Sequence, residues 1–144
     1  MTAKDYLEQI KRKDTIINNM IREKEYLYSR ALCVQGIRYD RDRVQTSVRP
    51  DQMGDMLARV DQKEEEINRK IDELTDFRLK AIGMINSLGD DRYVSILYKR
   101  YVNYETWEKI ADDLGYTDRH ALRLHGEALD EFSKKYSEEL ERCQ

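Results

Sequence analysis

The sequence predicts an all-α protein: a long antiparallel, coiled-coil-like helical hairpin followed by a C-terminal helix-turn-helix. Three observations carry this. Apolar residues recur in alternating steps of four and three along two long stretches. The 144 residues contain one proline and six glycines, so little interrupts a helix. Charged residues make up 38% of the chain against 40% hydrophobic, which suits long helices with a wide solvated face better than a compact globule.

The first stretch runs through Tyr6, Ile10, Lys13, Ile17, Met20, Lys24, Leu27 and Ala31, and six of these eight are apolar or aromatic. That is the seam of a coiled-coil-like helix, and a helix over about residues 3–33 would be about 46 Å long. Ile16, Ile21, Tyr28 and Leu32 widen the stripe, so this face is expected to meet more than one neighbour. Glu8 and Arg12 form an i,i+4 pair on the wet side.

From Val34 to Asp51 the rhythm fails. Gly36, the alternating charges of Tyr39 to Arg43 and the segment Thr46 to Asp51 predict a loop over about 34–51, with Pro50 and Asp51 as the entry to the next helix and Asp51 as its cap. The second seam is stricter. Met53, Leu57, Val60, Glu64, Ile67, Ile71, Leu74, Arg78, Ala81 and Ile85 hold the four-three rhythm, and eight of the ten are apolar. Glu65–Arg69, Glu66–Lys70 and Asp76–Lys80 place the acid four residues before the base, the favourable order on a helix. Two seams of similar length joined by one loop predict an antiparallel pair that serves self-association or partner binding. Gly89 closes the second helix, and the expected division is a hairpin over 1–88 and a second domain over 89–144.

Composition narrows the function classes. The formal net charge is −3, which gives no general attraction to nucleic acid. Cys33 and Cys143 are far apart and lack the spacing of a zinc site or a disulfide framework. The start, Met1 to Asp5, leads directly into charged helix, and the longest uncharged run is Ala81 to Gly89. A soluble cytoplasmic protein, without membrane contact, is the expectation. No nucleophile elbow, phosphate loop or metal spacing occurs. His120 and His125 are five residues apart and diverge around a helix, so neither an enzyme nor a metal or other cofactor is expected.

The segment Tyr104 to Leu124 has the spacing of a helix-turn-helix, and each position has a physical reason. A short helix over Asp91 to Asn103, with Val94, Leu97, Tyr98 and Tyr101 on one face, precedes it. Trp107, Ile110 and Leu114 face the core, and Ala111 is small where a second helix crosses closely. Gly115 falls where the turn asks for a left-handed backbone. Tyr116 packs back, Thr117 caps the next helix, and Ala121 and Leu124 return to the same interior. A helical hairpin of this shape that docks protein instead of DNA stays open as an alternative.

Tyr98-Lys99-Arg100-Tyr101-Val102, then Trp107-Glu108-Lys109-Ile110-Ala111, then Leu124 to Leu129, resemble region 4 of sigma-70-type RNA polymerase factors. The whole chain further resembles a family of small proteins encoded by phages and prophages of Gram-positive bacteria. The likeness rests on the start Thr2 to Leu7, the segment Arg43-Val44-Gln45-Thr46-Ser47, and the sigma-region-4-like C-terminal third. What the resemblance implies is regulation of phage gene transcription.

In a helix-turn-helix the first turns of the second helix enter the major groove. The outward positions there are Asp118, Arg119, His120, Leu122, Arg123 and Gly126. Arg119 and Arg123 are the candidate base readers, joined by His120 and Thr117, with Lys99, Arg100 and Lys109 as flanking phosphate contacts. Residues 89–144 nevertheless hold nine Lys/Arg against thirteen Asp/Glu, a net of −4, and Asp118 and Leu122 stand where region 4 is often basic or polar. Counterion release from one copy is then small, so specific binding to double-stranded DNA calls for a homo-oligomer, with a dimer expected, or for RNA polymerase as a partner. Two alternatives remain: a recognition subunit for phage DNA packaging, of the terminase small-subunit kind, and an adaptor that touches RNA polymerase without DNA.

Overall fold

A computed structural model describes residues 1–40 and 50–143, with side chains described for 1–33 and 53–143. Every regular element among the described residues is helical. The six α-helices are α1 (Ala3–Asp40), α2 (Pro50–Asn86), α3 (Asp91–Leu97), α4 (Trp107–Leu114), α5 (Asp118–Lys135) and α6 (Ser137–Arg142). A π-helical segment, Tyr98–Val102, continues α3 directly.

Both long helices outrun the sequence expectation. The loop expected over 34–51 is helix at both ends, since α1 continues to Asp40 and α2 begins at Pro50. Gly36 costs a helix interior only about 1 kcal/mol, too little to stop a helix about 57 Å long. Pro50 takes the first helical position, where its missing N–H is no loss and its fixed φ is already helical. Asp51 therefore lies inside α2 and does not cap it. Residues 41–49, which include the Arg43-to-Ser47 segment, lie outside the described residues.

The chain packs into two compact units. One consists of Thr15–Glu73. Within it Ile17, Ala31, Val60 and Ile67 are buried, and Met20, Lys24, Leu27 and Met53 half-buried, which are seam positions of the four-three rhythm. Polar contacts between its two helices include Lys63 to Glu23 at 3.4 Å and Lys24 to Glu64 at 4.0 Å. These are solvated pairs that contribute little, so apolar burial along the seam holds the helices together. Ile16, Tyr28, Leu32, Leu57 and Ile71 are apolar or aromatic side chains of this unit that remain exposed.

The other unit joins Met1–Asp14 to Leu74–Gln144. Its core takes Ala3, Tyr6, Leu7 and Ile10 from α1, and Ala81, Met84 and Ile85 from α2. To these it adds Ile96, Leu97, Tyr101 and Val102, then Ile110 and Ala111, then Ala121, Leu124, Ala128 and Phe132, and Leu140. The core thus spans Gly89, where the sequence rhythm changes. Tyr6 sits at its centre, with its ring 5.0 Å from that of Phe77 and 6.2 Å from that of Phe132. The rings are tilted by 50° and 37°, which avoids the face-to-face sandwich that aromatic quadrupoles disfavour.

The short helices are bounded by local chemistry. Asp90 caps α3 by accepting the Arg92 amide at 2.9 Å, after Gly89 has turned the chain at φ +82°. The expected single helix over Asp91–Asn103 is instead α3 followed by the π-helical segment. Its wider turn buries Tyr101 and Val102 beside Ile96 and Leu97 and leaves Val94 and Tyr98 half-buried. Tyr104 then adopts a left-handed backbone at φ +57°, which lets the Glu105 amide reach back to the Lys99 carbonyl at 3.0 Å. A non-glycine residue there carries strain on the order of 1 kcal/mol. At the other end, the apolar stripe through Leu129, Phe132, Tyr136 and Leu140 is broken: α5 ends at Lys135 and α6 starts afresh at Ser137. Tyr136 meets the Ser87 hydroxyl, and Lys135 donates to the Ser87 carbonyl.

Candidate functional site

The site is built on α4, the three residues that follow it, and α5. Thr106 starts α4, its Oγ1 accepting the Lys109 amide at 3.3 Å. The helix closes at Gly115, whose φ of +71° is the left-handed conformation an L side chain resists. There the Tyr116 amide bonds the Ala111 carbonyl at 2.9 Å and the Gly115 amide bonds the Asp112 carbonyl at 3.2 Å, the double closure of a Schellman ending. Thr117, back in extended conformation, caps α5 by accepting the His120 amide at 3.2 Å. One residue, Tyr116, separates the glycine from the cap, so the direction change is tightly determined.

Burial follows the expected pattern in most positions. Ile110, Ala111, Ala121 and Leu124 are buried, while Trp107, Leu114 and Tyr116 are half-buried. Tyr116 covers the start of α5, its ring 4.5 Å from that of His120. On α5 the buried stripe Ala121, Leu124, Ala128 and Phe132 fixes which face looks outward. Opposite it stand Arg119, Leu122, Arg123 and Gly126, all exposed.

The two arginines differ in their bonding. Arg123 lies 3.9 Å from Glu127 and 3.3 Å from Nδ1 of His120, contacts that a strong anionic ligand can displace. Arg119 has no hydrogen bond or ion pair among the described residues. The flanking cations are committed elsewhere. Lys99 meets Asp113 at 3.4 Å and Glu105 at 3.7 Å, and Lys109 meets Glu105 at 3.4 Å. Arg100 donates to the Glu105 carbonyl at 3.0 Å and stacks on the Trp107 ring at 4.6 Å. Glu105, only 13% exposed, is thus the anchor that gathers Lys99 and Lys109 between the π-helical segment and α4. Of the expected phosphate contacts, Lys99 and Arg100 serve this junction, and Lys109 keeps its ammonium largely exposed.

A cluster that the sequence did not announce lies beside it. The Tyr101 hydroxyl is 2.8 Å from Nε2 of His125, and the Trp107 ring meets the imidazole edge-on at 4.6 Å. Burial, with the nearby charges of Arg100 and Lys4, lowers the His125 pKa to about 4, so the ring is neutral at pH 7. Burial also pushes the Tyr101 hydroxyl up to about 12, with a smaller contribution from Glu8. The pair is a neutral hydrogen bond that ties the π-helical segment to α5. The only sequence signal for it was the aromatic pair Tyr101 and Trp107, which gave no hint of a histidine more than a dozen residues further on.

Among the described residues, no group of three or more His, Cys, Asp or Glu side chains is placed to hold a metal ion. No described helix is long and apolar enough to cross a membrane. The chain matches no protein-family model, no curated protein and no solved structure.

Proposed function

We propose that this chain is a sequence-specific DNA-binding regulator of transcription, in which α4 and α5 act as a helix-turn-helix and α5 enters the major groove. The observation that carries the reading is the joint between α4 and α5. The left-handed Gly115 and the Thr117 cap set α5 so that its buried stripe faces the core while Arg119 and Arg123 stand outward on its first turns. A guanidinium there can bond guanine through O6 and N7 or clamp a phosphate. α3 packs on the same α5 stripe and supplies the third helix of such a unit. The likeness to sigma region 4 and to small phage regulators points to phage gene transcription.

In this reading α1 and α2 form the antiparallel hairpin that brings copies together. The ion pairs Glu23–Lys63 and Lys24–Glu64 support the pairing of the two helices, and exposed Tyr28, Leu32 and Leu57 are apolar surface available to a second copy. Self-association compensates for an acidic unit with few free cations, since two copies double the phosphate contacts.

Selection of the purified full chain on a random duplex library, with its mass in solution measured alongside, tests the reading. An enriched motif that Arg119→Ala/Arg123→Ala loses, at about 1–3 kcal/mol per base contact, supports it. A two-fold symmetric motif adds the dimer, and a ring of many subunits favours the DNA-packaging alternative. Absence of any enrichment overturns DNA reading. One observation favours a second reading, an adaptor that docks on RNA polymerase: Lys99 and Arg100 are engaged by Glu105, and Lys109, although exposed, pairs with the same carboxylate, so little uncompensated positive charge is left there. Capture of polymerase by the chain without DNA distinguishes it.

A further inference from the structure

Among the described residues beyond Leu79, Leu122 is the only large apolar side chain left exposed, at 50%. It does not stand on a random part of the surface. Arg119, Leu122, Arg123 and Gly126 occupy positions i, i+3, i+4 and i+7 of α5, the spacing of one contact face. Arg119 is unpaired among the described residues and Arg123 weakly paired, so the face offers two guanidinium groups with an apolar side chain beside them. Past them Gly126 leaves the helix bare. A Cβ at this position would meet nothing within 4 Å, so no packing among the described residues explains the glycine.

A leucine cannot bond a phosphate, a sugar hydroxyl or a base edge. The one apolar feature the four base pairs present in the major groove is the 5-methyl group of thymine. We propose that Leu122 packs on a thymine methyl, so that α5 reads a thymine close to a guanine held by Arg119 or Arg123. Residues three apart on a helix have Cβ atoms about 5–6 Å from each other, and base pairs rise by about 3.4 Å, so the two bases lie one or two steps apart. Leu122 then determines specificity at a position where the arginines supply affinity and guanine preference. The inference rests on the DNA-binding reading above and adds the identity of a base.

Two random duplex pools, one made with thymine and one with uracil throughout, separate this inference from the reading it rests on. Uracil keeps every hydrogen-bonding group of thymine and lacks only the methyl. The expected result for the wild-type chain is a motif from the thymine pool with a fixed T within two steps of a G. The same duplex made with uracil at that T should bind about fourfold more weakly, the value of one buried methyl group. Leu122→Ala and Leu122→Gln should bind the thymine and uracil forms equally while keeping the guanine preference. Because Leu122 is exposed, both variants should melt with the wild type, which shows that they fold. Equal binding of the two forms by the wild type, or a motif without a fixed thymine, overturns the inference and leaves DNA reading intact. No enrichment from either pool overturns both.

Discussion

The Tyr101 hydroxyl and Nε2 of His125 stand 2.8 Å apart, bridging the π-helical segment to α5 beneath the Trp107 ring. Burial, with the charges of Arg100 and Lys4, lowers the imidazole pKa to about 4, so a proton on His125 disfavours the folded state.

Acid stability should show this. The unfolded chain protonates His125 near pH 6.5, the folded chain near pH 4, so between these values the unfolded state binds more protons. The contribution of His125 is therefore complete above about pH 6.5 and is lost as the pH falls towards 4. Partial exposure of the ring reduces its size to on the order of 1–2 kcal/mol. Denaturant unfolding at several pH values should give a steeper fall for the wild type than for His125→Gln. Parallel curves would show that His125 titrates alike in both states.

Two glycines should respond to alanine with opposite sign. Gly115 holds φ +71°, so Gly115→Ala should cost about 1 kcal/mol although a Cβ there meets nothing within 4 Å. Gly126 lies in ordinary helix with the same open surroundings, so Gly126→Ala should add about 0.5–1 kcal/mol, or about 3 °C in Tm. If α5 meets DNA along this face, the stabilised variant should bind it more weakly. A thermal melt and a binding titration of each variant check both parts.

Phe132 is fully buried against the Tyr6 ring. Phe132→Ala should cost about 3–5 kcal/mol by the cavity it leaves. Tyr6→Phe removes only a hydroxyl 3.5 Å from the Met84 sulfur, a weak acceptor, and should change stability by less than about 1 kcal/mol. Urea denaturation of the two variants separates ring packing from the hydroxyl contact.

Salt should weaken DNA binding only gently. With Lys99 and Arg100 engaged by Glu105, about two or three phosphate contacts per copy remain, which corresponds to a log–log slope of about −2 to −3 for each copy. Titrations at several salt concentrations measure it, and a slope of −6 or steeper per copy would mean that the junction releases its cations on binding.

Much of the architecture was legible because helices advertise themselves locally. The four-three rhythm marks Ile17, Ala31, Val60 and Ile67, which are buried, and Gly115 and Thr117 mark the break between α4 and α5. The rhythm failed from Val34 to Asp51, yet helix persists at both ends of that stretch, because a long helix tolerates positions with no apolar preference. Of the candidate contact residues, Arg119 and Arg123 emerged exposed as their register on α5 implied. Lys99 and Arg100 did not, because their partners lie across a turn whose shape depends on the left-handed Tyr104.

Except for where α1 ends and α2 begins, periodicity, capping residues and one well-placed glycine indicated, from the sequence alone, most of the helical segments and much of the apolar face of each. These are properties of residues within a turn or two of each other, and hydrogen bonds at i,i+4 enforce them. Only the tertiary structure decided that Tyr6 of α1 meets Phe132 of α5, that His125 stays neutral beside Tyr101, and that Glu105 draws in Lys99 and Lys109. Those outcomes depend on which distant surfaces exclude water together, and desolvation is a property of the assembled core that no local pattern encodes.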